Sequence, residues 1–161
     1  MAITYEPIAT TTLGSAASSV TFSSISGSYT DLVLIADGLG SGATIYPFIR
    51  FNGDTGTNYS RTYLRGDGSS ASSGRDTTTA TLTLTNWPTS QRNNIIININ
   101  NYSNSTTYKT TLTRSNTPSE GVETNVGLWR NTAAITSVTI GVTSNNFASG
   151  STFSLYGIKS A

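Results

Sequence analysis

Alternation with period two runs through this chain from end to end, and it restricts the fold to pleated sheet. Apolar residues recur at every second position in about ten short runs, and no stretch carries the three-to-four spacing of an amphipathic helix. The fullest example is residues 45–65, IYPFIRFNGDTGTNYSRTYLR. Ile45, Pro47, Ile49 and Phe51 alternate with Tyr46, Phe48 and Arg50, and Tyr59, Arg61, Tyr63 and Arg65 share one face of the segment that follows. Between them Asn52-Gly53 tolerates positive φ, while Asp54, Gly56 and Asn58 extend the turn chemistry, so a hairpin is expected.

The remaining runs fill in one domain. Residues 1–13 carry Ile3, Tyr5 and Ile8 around Pro7, which has no N–H for a central ladder; they are expected to form an N-terminal arm or edge strand that docks on a neighbouring subunit or shell. Residues 19–25 alternate Val20 and Phe22 with Ser and Thr. The longest apolar run, Leu32-Val33-Leu34-Ile35-Ala36 within residues 29–37, suits a strand covered on both faces at the centre of a sandwich. Residues 66–76 are rich in Gly and Ser and are expected to be a flexible exposed loop, and residues 77–85 read as a Thr-rich strand ended by Trp87-Pro88. Residues 93–101 put Ile95, Ile97 and Ile99 on one side and Ile96 on the other, and pair as a second hairpin with residues 106–114. Residues 120–130 set Val122, Thr124, Val126 and Leu128 against Glu123, Asn125 and Trp129, and two further strands follow at 134–143 and 151–158. The pattern predicts an all-β protein: a single antiparallel, jelly-roll-like β-sandwich over residues 1–161.

Composition then removes whole classes of function. The 161 residues include no Cys and no His, so cysteine nucleophiles, disulfides, thiolate zinc sites and imidazole bases have no residues to build them. Charged residues are 11% of the chain and the net charge is +1, which gives no electrostatic footprint for nucleic acid. No apolar run reaches the roughly 20 residues of a membrane helix, and the first residues lack the basic start and apolar core of a signal peptide. Catalysis would rest on the 8 carboxylates. Glu120 and Glu123, three apart, are expected on opposite faces of a strand, and Asp31, Asp54, Asp67 and Asp76 at turns or strand starts, so no enzyme is expected. Asn52, Asp54 and Thr57 lack the charge and the bidentate Glu of a tight calcium loop, and neither metal nor other cofactor is expected. Arg65-Gly66-Asp67 spells an integrin-type tripeptide that the composition of a turn produces without function.

The residues left for recognition are aromatic and basic. Trp87, Trp129 and the tyrosines 46, 59, 63, 102 and 108 can form a platform for sugars, or pack the corners of the sandwich and bury a subunit contact. Arg50, Arg61 and Arg65 beside them can stack or pair across an interface. Candidate interface residues are therefore Ile3, Tyr5, Ile8, Arg50, Tyr59, Arg61, Tyr63, Arg65, Trp87 and Trp129.

Three stretches carry a family likeness: ITYEPIATTTLGSAASSVTFSSISGSYTDLVLI at the start, IRFNGDTGTNYSRTYLRGDG in the middle and VTIGVTSNNFASGSTFSLYGIKS at the end. The positions that match are Phe22, Ile25, Tyr29, Thr30 and Leu32, then Phe51, Asn52, Gly53, Asn58, Tyr59 and Gly66, then Phe147, Gly150, Ser151, Leu155, Tyr156 and Gly157. Together they resemble small virion structural proteins of tailed bacteriophages. The resemblance implies a jelly-roll-like capsid decoration or cement protein that binds the outer capsid surface and stabilises the particle. It implies, too, a homo-oligomer, with a trimer favoured at a three-fold position, whose partners are the major capsid protein or other virion proteins. Such a protein is made in the host cytoplasm and needs no signal peptide. The alternative is a tail-fibre, receptor-binding or carbohydrate-binding sandwich that touches a glycan.

Overall fold

The computed structural model describes residues 5–159 and contains no helix among them. Fourteen strands form: β1 (Tyr5–Thr12), β2 (Ser19–Phe22), β3 (Asp31–Gly38), β4 (Gly40–Ser41), β5 (Pro47–Phe51), β6 (Tyr59–Gly66), β7 (Ala71–Thr79), β8 (Leu82–Thr83), β9 (Asn93–Asn100), β10 (Lys109–Thr117), β11 (Gly121–Trp129), β12 (Val138–Val142), β13 (Asn146–Phe147) and β14 (Thr152–Ile158). A wide sheet of eight strands, in the order β1-β14-β3-β9-β10-β11-β6-β7, packs on a narrow sheet of four, β2-β12-β5-β8, with β13 and β4 pairing at one end. Every pairing is antiparallel, and one hydrophobic core fills the space between the sheets. The all-β sandwich expected from periodicity is what the chain adopts.

β3 is interior to the wide sheet, between β14 and β9, as its unbroken apolar run requires. Leu32, Leu34 and Ala36 enter the core with no exposure, and Val33 on the opposite face stays 3% exposed beside its register partners Tyr156 and Asn98. The β9–β10 hairpin forms as expected, with Ile95, Ile97 and Ile99 fully buried. Asn101 takes the positive φ at its turn (50°), and the Asn104 side-chain oxygen accepts from the amides of Thr106 (2.7 Å) and Thr107 (2.9 Å).

The hairpin expected over residues 45–65 does not form. β5 pairs with β12 and β8 in the narrow sheet, whereas β6 pairs with β11 and β7 in the wide one. Residues 52–58 are a corner between sheets. Asn52 does adopt positive φ (51°), but its side chain is spent on the segment ahead of β12, donating to Ala134 O (2.8 Å) and accepting from the amides of Thr136 (2.8 Å) and Ser137 (3.1 Å). The Asp54 carboxylate accepts from Gly56 N (2.8 Å), Asn58 Nδ2 (2.9 Å) and the Trp129 indole (2.7 Å), and the Tyr59 hydroxyl accepts from Phe51 N (3.1 Å). Phe51, Tyr59 and Trp129 pack as an aromatic trio under that corner, with centroids 5.5–6.3 Å apart.

Three other expectations need correction. The N-terminal segment from Tyr5 onward is no free arm: β1 pairs with β14 from Tyr5↔Ile158 to Thr12↔Thr152, and Ile8 packs partly buried against the core of its own sandwich. It is the edge strand that Pro7 allows, with a register break between Pro7 and Ala9; Ile3 lies outside the described residues. Residues 66–76 are not a flexible loop. A tight turn at Asp67, whose carboxylate accepts from the amides of Ser69 (2.8 Å) and Ser70 (2.7 Å), leads straight into β7, and β7 pairs along β6. Finally, residues 77–85 do not form one strand, because β7 ends at Thr79, whose hydroxyl donates to Thr81 O (2.8 Å), and β8 crosses to the narrow sheet.

A polar cleft and an apolar outer face as candidate functional sites

Eight strands cannot be covered by four, so one end of the wide sheet overhangs the narrow one. On β6 the residues Tyr59, Arg61, Tyr63 and Arg65 share the inner face, in register with Trp129, Gly127, Asn125 and Glu123 of β11. At the start of the strand Tyr59 is roofed over and fully buried. β8 seats Leu82 against β11, where an added Cβ at Gly127 would lie 2.8 Å from a Leu82 methyl. Beyond β8 the roof ends, and Arg61, Tyr63 and Arg65 line a cleft of about 280 Å³ with Tyr46, Asn86, Glu120 and Glu123.

The cleft is built from mutually braced polar groups. Arg61 Nε meets Asp76 Oδ2 at 2.7 Å, and its guanidinium also donates to Thr83 O (2.7 Å) and approaches Glu123 Oε1 (3.4 Å). The same guanidinium lies 4.9 Å from the Tyr63 ring centroid. Tyr63 in turn rests on the β7 backbone at Gly74, where a Cβ would fall 2.4 Å from the phenol oxygen. Arg65 pairs with Glu120 Oε2 at 3.0 Å, and Asn86 Nδ2 donates to that oxygen at 2.7 Å. Glu123 is only 8% exposed, and its contacts with Arg61 and Asn125 Nδ2 are both 3.4 Å long.

Glu120 and Glu123 thus share a site, contrary to the expectation of opposite faces. The strand alternation does not reach back to Glu120, because β11 begins at Gly121, with φ of 123° and its Cα so close to β6 that a Cβ would lie 2.1 Å from Gly66 O. Asp76 is also placed differently from expectation, within β7 and opposite Arg61 in the register.

The opposite face of the same strands is apolar. β11 turns Glu123, Asn125, Gly127 and Trp129 inward and leaves Val122 (62% exposed) and Val126 (56%) outside. β10 likewise buries Lys109, Thr111, Thr113, Ser115 and Thr117 and exposes Leu112 (47%), and β6 exposes Leu64 (60%). The cross-strand pairs Leu112↔Val126 and Thr124↔Leu64 join these side chains into one stripe. Inside, Lys109 Nζ donates to Thr107 O (2.7 Å) and Thr132 O (3.0 Å), and burial lowers its pKa.

Of the aromatic and basic residues singled out in the sequence, Tyr46, Arg61, Tyr63 and Arg65 come together at a surface site. Tyr59, Trp87 and Trp129 have no exposure and cannot contact a partner; nor can Tyr102, whose hydroxyl is bound to Ser26 O. Trp87 packs edge-on against Phe147 at 5.4 Å. These large rings pack in the core with their polar tips mostly bonded inside it, and Tyr59 and Trp129 hold the corner. Arg50 lies on the far side of the narrow sheet, 5.0 Å from the Phe48 ring, away from the other arginines. Tyr5 is 56% exposed on the β1 edge, and Ile8 is committed to its own core. The Arg65-Gly66-Asp67 tripeptide is taken up in structure, Arg65 by Glu120 and Asp67 by its turn, whose amide and hydroxyl donors hold the carboxyl well below its ordinary range. Glu120, Glu123 and Asn86 were not legible as part of this site, since they come from two segments distant in sequence from β6.

No family model matches the chain, and no curated protein is similar to it. Among solved structures, an alginate lyase variant in complex with an alginate tetrasaccharide is similar over 94% of this chain and 80% of that one, at 12% identity and a TM-score of 0.34. A likeness of that extent assigns neither activity nor substrate.

Proposed function

We propose that this protein is a non-catalytic virion structural protein of a tailed bacteriophage, a capsid decoration protein that acts as a homo-oligomer. The observation that carries the reading is the stripe of Leu64, Leu112, Val122 and Val126, each about half exposed or more, on the outside of a sandwich that turns polar residues inward. A monomer gains nothing from that inversion, and contiguous exposed apolar surface marks a contact.

The occupant is a second copy of the chain. The stripe adjoins β7, a nine-residue edge strand without Pro, whereas the opposite edge, β1, is interrupted by Pro7; both edge pairings carry a register break. Of the two edges β7 is the one whose backbone N–H row has no proline gap. Covering the four side chains returns on the order of 1 kcal/mol each, which is too little alone. Main-chain pairing along β7 and repetition of the contact around a closed ring supply the rest, and a trimer fits a three-fold capsid position. With a net charge of +1, attachment to the shell owes little to ionic attraction and does not involve nucleic acid.

Light scattering on the free protein tests the assembly and co-sedimentation with stripped particles tests the attachment. The expected result is a trimer that binds particles in moderate salt, with Leu64→Asp and Val126→Asp giving folded monomers that bind poorly. A wild-type monomer that ignores particles refutes the proposal.

A further inference from the structure

We propose that the cleft between the overhanging end of the wide sheet and β8 binds a neutral sugar residue of a glycan chain. This site lies on the inner face of β6 and β11 and the apolar stripe on their outer face, so variants on one face test it apart from the other.

Size and lining set the ligand class. At about 280 Å³ the cleft is at the lower end of small-ligand pockets, suited to a single ring of a longer chain that leaves through the open side. Its lining is planar hydrogen-bonding groups: two guanidiniums, two carboxylates and the Asn86 amide. Neighbouring hydroxyls of a pyranose match such groups, accepting from Arg or Asn and donating to Glu. The groups are also held in place before any ligand arrives. Arg61 is fixed by Asp76 and Thr83 O, and Arg65 and Asn86 converge on one oxygen of Glu120, so little side-chain freedom remains to be lost on binding.

A second observation points to a missing donor. Glu123 is 92% buried by its 8% exposure, yet both of its partners stand at 3.4 Å, beyond the 2.7–3.2 Å of a good N–H···O bond. Glu123 lines the cleft, and a sugar hydroxyl there would give its carboxylate a donor at closer range than either of these. Tyr46, 56% exposed at the mouth, offers ring surface for the C–H face of the sugar, and Tyr63, packed between Gly74 and Arg61, forms the wall beside it.

Charge decides between neutral and acidic glycans. Arg61 and Arg65 face Asp76, Glu120 and Glu123, two cations against three carboxylates, which leaves a net charge of −1 around the cleft. Both guanidiniums are already paired, so no free cation awaits a uronate or a sulfate. The ligand is therefore polyhydroxylated and uncharged.

The test is calorimetry and a printed-glycan screen on the full chain, using soluble glucan, mannan and galactan oligosaccharides with alginate and a sulfated galactan as charged controls. Expected is binding of at least one neutral glycan, weakened tenfold or more by Tyr46→Ala and by Glu120→Gln, two partly exposed positions whose variants keep the wild-type urea midpoint. Val126→Asp, on the outer face, leaves it unchanged even if that variant abolishes assembly. Absence of binding to every neutral glycan, binding indifferent to both cleft variants, or binding confined to the charged controls would each overturn the inference.

Discussion

Asp54 is the residue on which the sheet-to-sheet corner depends, and Asp54→Ala measures how much. Three donors converge on its carboxylate: Gly56 N at 2.8 Å, Asn58 Nδ2 at 2.9 Å and Trp129 Nε1 at 2.7 Å. Gly56 is exposed and Asn58 half-buried, so water replaces the lost acceptor for both at small cost. Trp129 is different, since the residue has no exposure and its indole N–H is left without a partner. An orphaned buried donor, or a lost bond to an ionised acceptor, costs about 1–3 kcal/mol, and with the weakened turn the total is about 2–3 kcal/mol. For a chain of this length that lowers Tm by roughly 5–10 °C. The effect depends on pH. Burial raises the Asp54 pKa, but the hydrogen bonds from Asn58, Trp129 and Gly56 and the positive Arg50 outweigh it and hold the carboxyl below its ordinary value. A carboxyl with a depressed folded pKa contributes stability above its unfolded pKa of about 3.9 and loses it as pH falls through the lower folded value. Urea titrations at pH 7 and in steps below pH 4 are the assay, and the gap between wild type and Asp54→Ala should close in the acid limb. A difference below about 0.5 kcal/mol at pH 7, within the range of an ordinary surface substitution, would refute the claim that this carboxylate holds the corner.

Tyr59→Phe should cost about 1 kcal/mol at neutral pH through the lost Phe51 and Asp54 contacts, and should flatten the alkaline limb of the stability profile. Burial, reinforced by the charge of Asp54, pushes the Tyr59 pKa up to about 12; wild-type stability is therefore intact below about pH 10 and falls by about 2–3 kcal/mol as pH rises through the folded value, whereas the variant lacks this loss. Deleting residues 1–7 should leave a folded protein less stable by about 1–2 kcal/mol in urea: it removes the outer pairs of an edge strand, a half-exposed Tyr5 and the exposed Glu6–Lys159 pair, but keeps Ile8.

What the sequence made legible was governed by local periodicity alone. Leu32 to Ala36 could only be an interior strand, and the Ile95, Ile97, Ile99 series with its following turn could only be a buried hairpin arm. Residues 52–58 escaped because turn chemistry is the same for a hairpin and for a corner between sheets. The choice between them is made by Trp129 and by residues 134–137, some 75–85 positions away. The Gly/Ser run at 71–79 has too little side chain to signal a strand, and becomes one by pairing its backbone along β6. The cleft was less accessible still: Arg61, Tyr63 and Arg65 were legible as a set, but their carboxylate partners depend on where β11 starts, which Gly121 fixes.

β11 shows how one choice of parity produces both surfaces. In VETNVGLW either face could have been taken for the buried one, and the three branched apolar residues argue for Val122, Val126 and Leu128. Trp129 reverses that choice. It is the largest side chain in the run, it completes the trio with Phe51 and Tyr59, and its indole closes the Asp54 corner, so it must point inward. Because side chains alternate strictly, fixing Trp129 carries Gly127, Asn125 and Glu123 to the same side and sends Val126 and Val122 out. Gly127 then admits Leu82, which ends the roof over the sheet, and Glu123 is left at the border of the overhang, where it meets Arg61. A strand that buried its valines instead would have an ordinary core and neither the polar cleft nor the apolar stripe.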